Sequence, residues 1–180
     1  MKKIVIIALM ALSIGAVSAQ EALSFSKVIQ TDSMSTEAVY NSVRTWFSLN
    51  TGNANKVLVQ DDKSAGILIG KVNVPYSYGG MFYAAYDGYI DLTIQVSIRQ
   101  GRFKVEIKNI SHKKSNPKAS VPDMGTITTD EKCAFGGLNK GPNQKVWNDI
   151  KEKAEALANE IFTSIEKSLK SNATSSDDNW

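Results

Sequence analysis

The stretch from Gly88 to His112 constrains the fold most, because its pattern predicts a single β-hairpin. Apolar and polar side chains alternate from residue 90 to residue 99 and again after residue 102, as they do in strands with one buried face. With Gln100 and Gly101 in the turn, the apolar residues face each other in the pairs Ile98–Phe103, Val96–Val105 and Ile94–Ile107. A slip of one residue would expose each of these side chains at a cost of roughly 1.5 to 3 kcal/mol, so the register is well specified. Gln is uncommon at positive φ, and we therefore expect Gly101 alone to adopt the left-handed backbone.

A hairpin of this kind needs a cover for its apolar face, and two amphipathic helices can supply it. The first helix is predicted from the N-cap Ser35 to about Leu49, and the second over residues 142–170, where Pro142 suits the first turn. Further strands are predicted at Leu23–Gln30, Lys56–Asp61 and Ala65–Val74. The order β-α-β-β-β-β-α predicts an α+β fold, a two-layer sandwich in which an antiparallel five-stranded sheet has two helices on one face. The other face of the sheet is then open to water.

Residues 20–170 are predicted to form one domain with a core of its own. The segment 113–141 is long for a connection without structure, so it is either mobile or packed as a flap, with a short strand over Thr126–Thr129. The polar tail 171–180 is predicted to be disordered. Cys133 is the only cysteine, so no disulfide can form within the chain and a packed core must stabilise it.

Residues 1–19 have the three parts of a secretory signal peptide: Lys2 and Lys3, the apolar run Ile4–Ile14, and a small-residue ending at Ala19. A retained membrane anchor is the alternative. No cysteine follows the predicted cleavage site, which argues against a lipid anchor. Cleavage removes two lysines and leaves 19 basic against 18 acidic residues, a balance that argues against nucleic-acid binding. We expect a periplasmic or secreted protein that is not inserted in the membrane.

Three segments resemble those of a known family: the helix end Arg44–Phe47, the stretch Val59–Gly70 and the hairpin core Ile94–Ile107. The family consists of secreted bacterial domains of unknown function with a TATA-binding-protein-like (TBP-like) fold, and the resemblance covers about Phe25 to His112. It implies a curved antiparallel sheet with helices on its convex side, and no established catalytic residues. Gln100 departs from the family pattern, which favours a turn-forming residue such as Asp.

The open face of the sheet is one candidate functional surface. Its predicted residues on the hairpin are Asp91, Gln95, Arg99, Arg102, Lys104 and Glu106. Nucleic-acid-binding proteins of this shape use the same face for DNA, but this face lacks apolar wedges and carries Asp91 and Glu106 among its cations. It is therefore either a concave binding surface of another kind or an ordinary solvated face whose charges pair across strands.

A loop rich in tyrosine is the second candidate. Five of the six tyrosines lie between residues 76 and 89, in a loop that also contains Gly79 and Gly80. The candidate ligand-binding residues are Tyr76, Tyr78, Phe82, Tyr83 and Tyr86. Tyrosine offers flat apolar area and a hydroxyl group at a small entropic cost, so these rings could contact a protein, a peptide or a glycan. The alternative is that they close one end of the core.

No catalytic residue, metal site or cofactor is predicted. His112 is the only histidine, so a metal site with two histidines is excluded and a Ser-His-Asp triad would depend on this one residue at a strand end. Cys133 is more typical of a small packed side chain than of a nucleophile. The sequence thus predicts an exported, non-enzymatic binding module of the cell envelope with an unknown ligand. The alternatives are a structural envelope protein whose long C-terminal helix docks onto a partner or a second copy of the chain, and a small hydrolase that uses carboxylates.

Overall fold

The structure, a computed structural model, describes residues 20–31, 34–51 and 57–175. The predicted signal peptide lies outside these ranges, as do residues 176–180 of the predicted tail. In chain order the elements are β1 Phe25–Gln30, α1 Thr36–Asn50, β2 Leu58–Asp62, β3 Ile67–Tyr76, a 3₁₀ helix Met81–Tyr86, β4 Gly88–Arg99, β5 Arg102–Lys114, β6 Gly125–Thr126 and α2 Lys140–Ser175. The strands form one antiparallel sheet in the order β1-β5-β4-β3-β2, and the short β6 pairs with β5. The predicted α+β fold is confirmed, with β6 as a sixth strand.

The hairpin has the predicted register. The pairs Ile98–Phe103, Val96–Val105 and Ile94–Ile107 are all present, and these side chains are buried. Gly101 has a φ of 75°, whereas Gln100 does not adopt positive φ. The single glycine therefore supplies the left-handed backbone of this turn, as expected.

A β-bulge in β5 changes which residues reach the core. The pairing moves from Thr93–Lys108 to Asp91–Ser111, so β5 has one extra residue, and Asn109 there has a φ of 55°. Because strand side chains alternate between faces, the bulge turns the even-numbered residues Ile110 and His112 inward. Both are fully buried, and His112 thereby becomes part of the core.

The two helices cover the same face of the sheet. Ser35 caps α1, with its Oγ accepting a hydrogen bond from the Ala38 N–H at 3.1 Å. Trp46 of α1 donates from Nε1 to Ser164 Oγ of α2 at 2.8 Å, which ties the helices together. At ~1.5 Å per residue α2 is about 54 Å long. It continues five residues past its predicted end, because residues 171–175 contain no Gly or Pro to stop it. Neither described helix has an apolar stretch that could cross a membrane.

The segment between β5 and α2 is packed and closes the end of the core. Its buried residues are Val121, Met124, Ile127 and Thr128. The strand β6 and an isolated bridge between Ala22 and Thr128 attach it to the sheet. Trp147 of α2 donates from Nε1 to the Asp130 carbonyl at 3.2 Å, and Lys151 Nζ contacts the same oxygen at 2.9 Å. Of the two expectations for this segment, the flap is the one that the structure shows.

Candidate functional site

The tyrosine-rich loop predicted from the sequence is divided between the core and the surface. The strand β3 extends to Tyr76, and residues 81–86 form the 3₁₀ helix. Tyr76 and Tyr86 are 3% and 2% exposed and belong to the core. Their rings are therefore not available as a contact surface, contrary to the prediction. Tyr78 and Tyr83 are half-buried at the margin of the core.

The two buried tyrosines attach this loop to the long helix α2. Tyr86 donates its hydroxyl hydrogen to Asn143 Oδ1 at 2.6 Å, and Tyr76 donates to Asp149 Oδ2 at 2.8 Å. Burial, and then the Asp149 carboxylate, raise the pKa of Tyr76 well above its usual value of 10.0. Lys153 completes this attachment, with its Nζ 2.8 Å from Asp149 Oδ2, 2.7 Å from the Ser77 carbonyl and 4.9 Å from the centre of the Tyr76 ring.

His112 stabilises the end of the loop from within the core. Its Nδ1 accepts a hydrogen bond from the Met124 N–H at 3.3 Å, and its Nε2 lies 2.9 Å from the Tyr86 carbonyl. These partners require the neutral ring with its proton on Nε2, because a carbonyl oxygen can only accept. Burial lowers the pKa of His112 below its usual 6.5, which also favours the neutral form. With both nitrogens engaged inside the core, His112 has a structural role.

The tip of the loop is the part that faces solvent. We call Met81 and Phe82, which are 88% and 96% exposed, the apolar tip. Gly79 and Gly80 lead into it with φ values of 90° and 82°, a conformation that residues with a side chain rarely adopt. Behind the tip, the rings of Tyr78 and Tyr83 lie 4.1 Å apart. Two neighbouring, fully exposed apolar side chains are unusual on a soluble domain and suit contact with an apolar partner surface. The sequence interpretation missed Met81, although its position next to Phe82 was a usable signal.

The open face of the sheet carries more positive than negative side chains. The register places all six predicted residues on this face, together with three further cations: Lys71, Lys108 and Lys113. Several of the polar groups are paired. Lys104 Nζ lies 2.7 Å from Glu106 Oε1, and Asn73 donates to Asp91 Oδ1 at 2.6 Å. Two of the remaining cations meet at the hairpin turn, where Arg99 faces Arg102.

A cleft of about 390 Å³ lies beside that turn. It is lined by Val28, Ser97, Arg99, Arg102, Phe103, Lys104 and Glu106. Val28 comes from the neighbouring strand β1, where it pairs with Lys104. The hairpin alone could not show that β1 lies beside β5, so the sequence interpretation missed this residue.

The surface clefts in the described part of the chain contain few carboxylates. Four surface clefts of about 390, 440, 530 and 460 Å³ are each lined by at most one carboxylate. Within the parts of the chain that the structure describes, no three His, Cys, Asp or Glu side chains come together as metal ligands would. The thiol of Cys133 is half-buried, with Met124 Sδ 4.0 Å away.

Comparison with known proteins identifies relatives of the same shape. The family model described as a domain of unknown function (DUF4468) with TBP-like fold matches residues 25–113, which confirms the resemblance predicted from the sequence. The crystal structure of a TBP-like protein from Parabacteroides distasonis ATCC 8503 is 13% identical, with a TM-score of 0.56 over 81% of this chain and 93% of that one. That of a DUF4468 family protein from Bacteroides ovatus ATCC 8483 is 17% identical, with a TM-score of 0.58 over 87% and 91%. At these identities the likeness concerns the fold alone. No curated protein matches the chain.

Proposed function

We propose that this chain, whose residues 25–113 belong to the DUF4468 family of domains with a TBP-like fold, is an exported, non-enzymatic binding module of the cell envelope. The observation that carries the proposal is the apolar tip, Met81 and Phe82, which is almost fully exposed. Fully burying a Phe or Met side chain is worth roughly 1.5 to 3 kcal/mol. A partner with a complementary apolar pocket would bury both side chains, and each would contribute this amount to the binding free energy.

The tip is well suited to binding because its base is held in place. The residues on either side of it, Tyr76 and Tyr86, are hydrogen-bonded to α2, and the Ser115 N–H donates to the Asp87 carbonyl at 2.8 Å. A contact residue on an ordered base loses less conformational entropy when it binds than one on a free loop. Exposed aromatic and Met side chains are also enriched among the residues that dominate protein interfaces. The partner that fits best is therefore a protein or peptide with an apolar pocket.

The signal-peptide pattern of residues 1–19 supports export. The absence of paired carboxylates from the described clefts, together with the engaged nitrogens of His112, supports a role without catalysis. Export is tested by cell fractionation and by sequencing the N-terminus of the mature protein. We expect a periplasmic or secreted chain that begins at Gln20, and a cytoplasmic chain that retains Met1 would contradict the proposal.

The contact itself is tested by photo-crosslinking in living cells. A photoreactive phenylalanine analogue is placed at Phe82 or, as a control, at Leu138, which is 105% exposed on the flap far along the chain from the tip. We expect a discrete adduct from position 82 and none from position 138. The adduct at 82 should disappear in the presence of excess unlabelled wild-type protein and persist with excess of the double variant M81S/F82S. Both tip residues are exposed, so this variant should remain folded, with its stability changed by less than about 0.5 kcal/mol for each substitution.

Adducts from both positions, or from neither, would contradict a specific role for the apolar tip. An adduct that contains two copies of this chain would instead support the structural alternative, in which the protein self-associates. Hydrolysis of a glycan or peptide substrate by the purified protein, lost on replacing a carboxylate, would contradict the non-enzymatic assignment.

A further inference from the structure

The turn of the β4–β5 hairpin carries two arginines that face each other on the open face. Arg99 and Arg102 are directly paired across the strands and both are exposed. Like charges in opposite cross-strand positions repel each other and destabilise the pairing. Among the residues that the structure describes, neither guanidinium lies within ion-pair distance of a carboxylate. Within the described part of the chain, these two positive charges therefore lie side by side without a carboxylate partner.

The backbone that carries these arginines is held from both sides. The Thr31 N–H, just after β1, donates to the Gly101 carbonyl at 2.8 Å, and the Ile98 N–H donates to the Gly66 carbonyl at 2.8 Å. The turn is thus tied to β1 and to the turn between β2 and β3. Two arginines on an anchored turn are preorganised for a ligand more than two arginines on a free loop would be.

The cleft beside the turn, of about 390 Å³, falls within the size range of small-ligand sites. Ser97 lines it and accepts a hydrogen bond from Gln95 Nε2 at 3.3 Å, so its hydroxyl hydrogen remains able to donate. Glu106 is the one carboxylate in the lining, and Lys104 neutralises it at 2.7 Å. The net charge of the cleft is therefore that of the two arginines. Val28, which is 52% exposed, adds an apolar wall.

We propose that Arg99, Arg102 and Ser97 form a binding site for a phosphate dianion, either free or as the monoester group of a small molecule. Guanidinium groups bind phosphate oxygens with pairs of parallel N–H···O bonds, and two guanidinium charges match the charge of about −2 that a phosphomonoester carries above its second pKa of about 6. This site is separate from the apolar tip, so the inference goes beyond the proposed function.

The test uses phenyl phosphate as the probe, titrated into the mature protein at low ionic strength and pH 7.5 by calorimetry and by NMR shifts of the turn amides. The variant R99Q/R102Q removes both arginines, and K71Q/K113Q removes the same amount of charge elsewhere on the open face. We expect the wild type and K71Q/K113Q to bind alike, and R99Q/R102Q to bind at least tenfold more weakly. Binding should also weaken at pH 5, where the probe becomes a monoanion. Inorganic phosphate that binds as tightly as phenyl phosphate would identify the free ion as the ligand.

Several results would overturn the proposal. One is equal affinity of R99Q/R102Q and the wild type, and another is an equal loss in K71Q/K113Q, which would indicate a diffuse charge effect. Absence of binding, tighter binding of benzoate, or tighter binding of a duplex oligonucleotide would also overturn it. The variant M81S/F82S should bind phenyl phosphate normally, and R99Q/R102Q should keep the crosslink at Phe82, so failure at one site can be distinguished from failure at the other.

Discussion

Gly70 marks a close approach between the sheet and helix α1, and its replacement by alanine tests how tightly they pack. A Cβ added to Gly70 would lie 2.6 Å from Cε1 of Phe47, 3.2 Å from Cδ1 and 3.3 Å from Cζ. The first distance is shorter than real carbon contacts allow. The Phe47 ring is fully buried and packs edge-on against Trp46 at 5.1 Å, so it has little room to move.

Two opposing terms set the size of the effect. Gly70 does not adopt positive φ, so alanine suits its backbone and should stabilise the protein by about 0.4 to 1 kcal/mol by restricting the unfolded chain. Overpacking against Phe47 should cost about 1 to 3 kcal/mol. We therefore expect G70A to lower the free energy of unfolding by about 1 to 2 kcal/mol. In a Phe47→Leu background, which lacks the ring atoms nearest the new methyl group, the same change should be neutral or stabilising.

The assay is urea unfolding followed by tryptophan fluorescence and circular dichroism, since Trp46 and Trp147 are buried. The four proteins of the double-mutant cycle should give a coupling energy of about 1 to 3 kcal/mol between positions 47 and 70, which is the overpacking term. G136A is the matched control, because a Cβ at Gly136 meets no atom within 4 Å and should change stability little. An equal cost of G70A in both backgrounds, or stabilisation by G70A alone, would refute the packing of α1 on β3.

Three further predictions concern the loop and its support. A Cβ at Gly88 would lie 1.9 Å from a backbone oxygen of β5. G88A should therefore destabilise the protein by more than ~3 kcal/mol, as measured by urea unfolding. A change as small as that of G136A would contradict this contact. Burial lowers the pKa of His112 below 6.5 in the folded protein. Below about pH 6.5 the unfolded chain therefore binds a proton at this residue that the folded chain does not. The free energy of unfolding should fall by up to about 1.4 kcal/mol per pH unit, until His112 of the folded protein is also protonated. Urea unfolding between pH 7.5 and 5 should show this slope in the wild type and a shallower one in H112Q; equal slopes would contradict it. The change Y86F removes the donor to the buried Asn143 Oδ1 and should cost about 1 to 3 kcal/mol, whereas an unchanged urea midpoint would show that this hydrogen bond is unimportant.

The hairpin register was predictable because its alternation is uninterrupted and only one pairing buries every apolar residue. The bulge at Asn109 was not predicted, although the sequence holds a signal for it. Ile107 and Ile110 are three residues apart, which a regular strand would place on opposite faces. Both are buried, so one residue between them must be accommodated as a bulge, and Asn is among the residues that tolerate positive φ. Because the extra residue of the bulge shifts the alternation of β5, His112 is also turned into the core.

The division of the tyrosine-rich loop into buried and exposed residues could not be predicted from the sequence, for a different reason. Tyr76 and Tyr86 are distinguished from Phe82 by their partners, and those partners lie 73 and 57 residues further along the chain, on α2. Local composition groups the aromatic residues but contains no information about which of them a distant helix will cover. The cleft beside Arg99 could not be predicted for the same reason, because one of its walls is Val28, from the strand β1 near the N-terminal end of the domain.

One structural feature is central: the sheet has one face packed under the helices and one face open to ligands. Thiol labelling tests it directly, in a variant whose only cysteine, Cys133, is replaced by alanine. A single cysteine is then introduced at Ser97 on the open face or at its neighbour Val96, which is fully buried. We predict that the cysteine at 97 reacts with a thiol reagent at least ~100-fold faster than the one at 96 under native conditions, and that both react alike in urea. Equal native rates, or faster reaction at 96, would contradict the account.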